Sequence, residues 1–250
     1  MAWQKGAKLY RPGSSEPFKV SRSKIDLFRE CPRCFYLDRR LGVSRPSMPG
    51  FSLNSAVDHL LKKEFDALRK SGKPHEIMKR YGVDAVPFVH KDLDVWRENF
   101  VGKQVLHGQT NFIVFGAVDD LWVNPQGELI VVDYKSTSTD KEISLEDQWK
   151  VAYKKQLETY QWLFRESGFA VSNQAYIVYA NAAKSPAQFD GKLEFELTLH
   201  EHRGDTSWVG PMLAAMKSCL EDTSIPDAST TCEYCICLLY TSPSPRDRQK

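Results

Sequence analysis

Apolar residues recur along this chain with two different periods. Across residues 55–68, Val57, Leu60, Leu61, Phe65 and Leu68 fall at helical spacing and predict a helix. Upstream, Ile25, Leu27 and Phe28 supply an apolar face behind Ser21 and Ser23, either of which can cap a helix start. Further helices are predicted over 93–101, over 144–166 with Val151, Leu157, Tyr160, Leu163 and Phe164 inward, and over 208–220. Between them the pattern turns β-rich. Runs over 112–123 and 128–134 flank Asn124-Pro-Gln-Gly127 and predict a hairpin, and strands return at 175–180 and 192–199. Helices before and after a central run of strands predict an α/β chain with a mixed central β-sheet flanked by helices.

Residues 1–20 are rich in Pro, Gly and Ser and read as a flexible lead-in to one domain over 21–236. The tail 237–250, CLLYTSPSPRDRQK, has no periodicity and resembles a translated sequencing adapter, so it reads as an artefactual or disordered tail and the domain ends at Ile236. At 250 residues with 42% hydrophobic and 26% charged positions, the composition is globular rather than disordered. No run of about 18 apolar residues exists, so no membrane association is expected. The first residues lack an apolar leader core, so secretion is not indicated and a cytoplasmic protein is expected. A net charge of +2 neither demands nor excludes nucleic acid.

The hairpin carries the first candidate chemistry. Asp119 ends Gly116-Ala-Val-Asp119, and Asp133 and Lys135 stand in Val-Val-Asp133-Tyr134-Lys135 across the turn. Adjacent strands lie about 5 Å apart, so the two acids can converge. Asp133 and Lys135, two apart, share a strand face. Paired carboxylates repel unless a cation lies between them, and Mg²⁺ or Mn²⁺ prefers such oxygen ligands. A neighbouring lysine can then position a water and stabilise charge on a phosphate. Ordinary strand-end acids with a surface lysine would show the same pattern. Convergence of the three groups within about 5 Å separates the readings.

The second candidate is a cysteine set. Six cysteines fall at 31, 34, 219, 232, 235 and 237, clustered toward the two ends. Cys31-x-x-Cys34 and Cys232-x-x-Cys235 offer four thiolates, suited to Zn²⁺ or an iron–sulfur cluster, and a shared site would bring the N- and C-terminal segments together. Cys219, on an apolar-faced helix, reads as a buried thiol rather than a ligand.

Four blocks in order resemble the PD-(D/E)XK nuclease superfamily, in particular its RecB-like branch with the CRISPR-associated adaptation nucleases. They are the Ser21–Leu37 block, Gly116–Asp119, Asp133-Tyr134-Lys135 and Gln156-Leu-Glu-Thr-Tyr160. The resemblance implies a restriction-endonuclease-like core and a Mg²⁺- or Mn²⁺-dependent deoxyribonuclease, an exonuclease in DNA repair, recombination or phage- or CRISPR-type processing. DNA would be its partner, with recombination or replication proteins beside it. The implied catalytic set is Asp119, Asp133, Lys135, Gln156 and Tyr160, with the Tyr134 carbonyl a further metal ligand. The branch places a histidine ligand on an early helix. Here Asp58 occupies that slot and His59 follows it, so either can be the ligand. The branch also holds a [4Fe–4S] cluster with one early and three late cysteines. This chain has Cys31 and Cys34 early and Cys232 and Cys235 late, which keeps zinc open beside iron–sulfur. A catalytically silent DNA- or partner-binding module on the same fold is the alternative function.

Overall fold

The computed structural model describes residues 8–46, 52–145 and 150–236. In chain order they form β1 (Phe18–Ser21), α1 (Arg22–Glu30), α2 (Pro32–Arg40), α3 (Ser52–Ser71), α4 (Glu76–Arg80), β2 (Val86–Pro87), α5 (Leu93–Arg97), β3 (Lys103–His107), β4 (Phe112–Gly116), β5 (Asp120–Val123), β6 (Leu129–Thr137), α6 (Val151–Glu166), β7 (Val171–Ala182), β8 (Phe195–Arg203) and α7 (Val209–Glu221). Two sheets result: five strands in the order β2-β5-β6-β7-β8 and three in the order β1-β4-β3. In the larger sheet β6 and β7 run parallel and every other pair is antiparallel. The mixed α/β class expected from the sequence is the class observed.

The chain divides into two compact units. Met1–Pro49, Leu106–Ile113 and Gly210–Lys250 belong to the first; Gly50–Val105 and Val114–Val209 belong to the second. In the second unit the parallel pair dictates the layout. Parallel neighbours need a crossover, and α6 supplies it between β6 and β7. β6 opens Leu129-Ile-Val-Val132, all buried, as expected of a central strand covered on both faces. One face packs Ile130, Val132 and Tyr134 with Leu61 and Phe65 of α3 and with Trp122 of β5. Phe65 and Trp122 stack with ring centres 5.6 Å apart.

The first unit shows where sequence patterning overreaches. The lead-in expected to be flexible carries structure before residue 21: Tyr10 is buried and meets Phe18 of β1 edge-on at 5.2 Å. The predicted helical block from Ser21 is two helices. Cys31 sits between them in an extended conformation, φ −159° and ψ 105°, and Pro32 opens α2. Proline disfavours helical backbone in the residue before it, which breaks the helix there.

The predicted run 112–123 is not one strand. It leaves β4 at Gly116 and enters β5 of the other sheet at Asp120. Gly102, at φ +57°, packs against this crossing point; a Cβ there would collide with the Gly116 carbonyl. The helix expected over 93–101 stops at Arg97, and Phe100 at φ 71° turns the chain away. The helix expected over 144–166 is observed from Val151; residues 146–149, like the tail 237–250, lie outside the described residues.

Candidate active site

β5 pairs with β6 only as far as Asp120 opposite Val132. Asp133 and the residues after it therefore project past the end of β5, still held on the other side by β7, with Asp133 opposite Ile177. Asp119 lies just outside β5, and its Oδ2 accepts the Tyr134 N–H at 3.0 Å. The carboxylate thus satisfies a backbone donor that the missing strand residue would have met. This local termination brings the two acids of the hairpin together.

Three predicted groups meet at Asp133, which is 1% exposed. Lys135 donates its ammonium to Asp133 Oδ2. Gln156, on α6, donates its amide to Asp133 Oδ1 at 2.7 Å and lies 3.3 Å from the Tyr160 hydroxyl. The third is Asp119, close enough that each acid shifts the protonation of the other. Lys135 Nζ also approaches the Tyr134 carbonyl, at 3.4 Å.

Burial pushes the Asp133 carboxyl up to about 7, and the Asp119 carboxylate adds to that push against the pull of Lys135. Burial acts on Asp119 in the same direction, but the ammonium groups of Lys135 and Lys62 outweigh it and hold Asp119 below the ordinary carboxylate value. The two acids therefore titrate as a pair, Asp119 giving up its proton first and Asp133 holding its own longer. The donor set fits a hard cation: two carboxyl groups and a carbonyl, all oxygen, with side-chain ammonium groups now supplying the positive charge.

Asp58 and His59 part company. Asp58 is half-buried, and Lys62, one helical turn on, reaches its Oδ2 at 2.9 Å and Asp119 Oδ1 at 3.3 Å. His59 is exposed on α3. Asp58 thus stands beside the acid pair through a shared lysine. The sequence reading missed Lys62, although its place at i+4 from Asp58 is a visible signal.

A second layer was also missed. Asp120 is fully buried and binds Arg69 Nη2 at 2.5 Å, Arg97 Nη2 at 2.8 Å and the Tyr134 hydroxyl at 2.8 Å. Arg97 then grips both oxygens of Asp66, at 2.9 and 3.0 Å, and donates Nε to the Asp119 carbonyl at 3.0 Å. This network ties the backbone of Asp119 to α3 and α5. Next to Asp119 in sequence, Asp120 reads as one more acid; only the fold turns it inward.

In the first unit, Cys31, Cys34, Cys232 and Cys235 are all buried and unoxidised, and their sulfurs all lie within 4.8 Å of one another. They join the two chain ends as the spacing predicts, and four thiols suit zinc or an iron–sulfur cluster. Among the described residues this is the only group of three or more His, Cys, Asp or Glu side chains drawn so close. Cys219, half-buried on α7, is not in it, and burial pushes its thiol up to about 11. Among the described residues, no helix is long and apolar enough to cross a membrane.

No curated protein matches the chain. Among solved structures it is similar to the crystal structure of SSO0001, at 17% identity and a TM-score of 0.42, over 92% of this chain and 88% of that one. The family model of the PD-(D/E)XK nuclease superfamily, a group generally made of metal-dependent nucleases, matches residues 19–238. That span holds the acid pair, the lysine, the α6 amide and both cysteine pairs, so sequence pattern and site geometry agree that the chain belongs to the PD-(D/E)XK nuclease superfamily.

Proposed function

We propose that the chain is a Mg²⁺- or Mn²⁺-dependent deoxyribonuclease of the RecB-like kind, acting as an exonuclease in DNA repair, recombination or phage- or CRISPR-type processing. The observation that carries this reading is the meeting of Asp119, Lys135 and Gln156 on the buried Asp133 carboxyl. The structural acid Asp120 is matched by two guanidinium groups, whereas Asp119 and Asp133 set two carboxyl groups against each other beside the ammonium groups of Lys62 and Lys135.

Asp119, Asp133 and the Tyr134 carbonyl would hold the ion, with Asp58 preferred over His59 as the further ligand because Asp58 already shares Lys62 with Asp119. When bound, the ion supplies Lewis-acid stabilisation of charge on the scissile phosphate. Lys135 orients the attacking water and offsets developing negative charge from its place on Asp133. Gln156 locks the rotamer of Asp133, and Tyr160, through its contact with Gln156, helps position the DNA strand.

The test is digestion of end-labelled linear and closed circular DNA, single- and double-stranded, with Mg²⁺ or Mn²⁺. Linear DNA should be degraded from its ends and circles spared. Asp133→Ala and Lys135→Ala should abolish cleavage while DNA binding survives, because backbone phosphate contacts carry most of the affinity. Cleavage in EDTA, or full activity in either variant, overturns the mechanism; nicking of circles overturns the exonuclease assignment alone.

A further inference from the structure

The four sulfurs of the cysteine site lie within 4.8 Å of one another. Cys31 and Cys235 are separated by 3.7 Å, and Cys34 lies 3.6 Å from both Cys232 and Cys235. These are not disulfides, whose sulfurs are about 2.05 Å apart. A single tetrahedral ion with metal–sulfur bonds of about 2.3 Å sets its ligand sulfurs roughly 3.8 Å apart. An iron–sulfur cube binds each thiolate to a different iron at a different corner, so the whole cube stands between the four sulfurs. Sulfurs all within 4.8 Å of one another leave room for one ion and not for a cube.

The two early and two late cysteines agree with that geometry. Cys31 lies at the break between α1 and α2, and Cys34 in the first turn of α2, where unpaired helical N–H groups favour negative charge. One guanidinium completes the surroundings. Arg45 Nη2 lies 3.4 Å from the Cys232 sulfur, its side chain is over the Tyr234 ring at 4.5 Å, and its other arm pairs with Glu30. Four thiolates around one divalent ion carry a net charge of about −2, and a fixed cation with an N–H aimed at sulfur offsets part of it.

We propose that Cys31, Cys34, Cys232 and Cys235 hold one zinc ion tetrahedrally, in place of an iron–sulfur cluster, with Arg45 as the charge partner of the thiolates. The four thiols lose their protons to solvent on binding, and no electron transfer is involved. The ion fastens the segment after α7 to the α1–α2 break, so its binding energy is folding energy for the first unit.

Metal and acid-labile sulfide analysis of the full chain, purified without oxygen, tests the assignment independently of any nuclease activity. One zinc per chain without sulfide is expected, and cobalt replacing it should show the intense visible d–d bands of a tetrahedral thiolate site. Iron with stoichiometric sulfide, one iron without sulfide, or no bound metal each overturns it. Cys232→Ser should lower the zinc content well below one per chain; unchanged content overturns the ligand set even if that variant folds poorly. Arg45→Ala should still bind one zinc but release it to a chromogenic chelator several-fold faster. An unchanged release rate removes Arg45 from the site.

Discussion

Gln156 donates its side-chain amide to Asp133 Oδ1 at 2.7 Å, joining the helix of the βαβ crossover to the strand it crosses from. The bond leaves Asp133 Oδ2 to Lys135. Partners that orient a metal ligand are typically worth about 10- to 100-fold in activity or metal affinity. Gln156→Ala should therefore lower cleavage by about that factor with little change in DNA affinity. Gln156→Glu should be worse, because it sets a third carboxylate against the pair. Single-turnover rates and DNA-binding isotherms on the same samples check both, and a Gln156→Glu enzyme at wild-type rate contradicts the assigned role.

Asp58 and His59 can be told apart by metal titration. Asp58→Ala should weaken Mn²⁺ binding more than His59→Ala, since Asp58 already meets Asp119 through Lys62 while His59 is exposed. Lys62→Met should tighten Mn²⁺ binding several-fold by removing a competing cation. Mn²⁺ titration followed by electron paramagnetic resonance reads all three; the opposite order for Asp58 and His59 hands the ligand role to the histidine.

Proton and metal compete for Asp133. With its carboxyl pushed up to about 7 by burial, the group is mostly protonated a unit below that value and mostly ionised a unit above it. Apparent Mn²⁺ affinity should therefore rise about tenfold between about pH 6 and about pH 8 and then level off. Without metal the sign reverses for stability. The raised Asp133 value adds stability that is fully present below its ordinary 3.8 and is lost as pH rises through about 7. Asp133→Asn should flatten both profiles in metal titrations and thermal melts.

Asp120 holds two buried guanidinium groups, those of Arg69 and Arg97, at 2.5 and 2.8 Å. Asp120→Ala leaves both without their shared carboxylate, and breaking a buried pair in this way costs about 3–5 kcal/mol. Urea unfolding of the metal-free protein should show a loss of that size. A change below about 1 kcal/mol, the scale of an exposed pair, would mean that the network contributes little.

The local chemistry of this protein was legible in the sequence because it depends on short-range periodicity. Asp133 and Lys135 share a face because strand side chains alternate, and Gln156 and Tyr160 share one because a helix repeats every 3.6 residues. The Asn124–Gly127 turn and the two CxxC pairs are likewise local patterns. Periodicity does not say where a strand stops pairing. The run 112–123 reads as one strand because its residues favour β structure throughout. It is split between two sheets because Gly102 packs on its middle and β5 begins only at Asp120. That late start is what lets Asp119 turn onto the Tyr134 N–H and meet Asp133.

Residue type alone also fails to rank neighbouring charges. Asp119 and Asp120 are identical in the sequence; one lines the site and the other is sealed behind it with two arginines. Lys62 joins Asp58 to Asp119, 57 positions away in the chain. The separation of the four sulfurs, which favours one ion over a cluster, comes from packing the two chain ends together. The sequence by itself determined which groups exist and which share a local face. The tertiary structure decided which of them touch, because desolvation and charge pairing act through space and not along the chain.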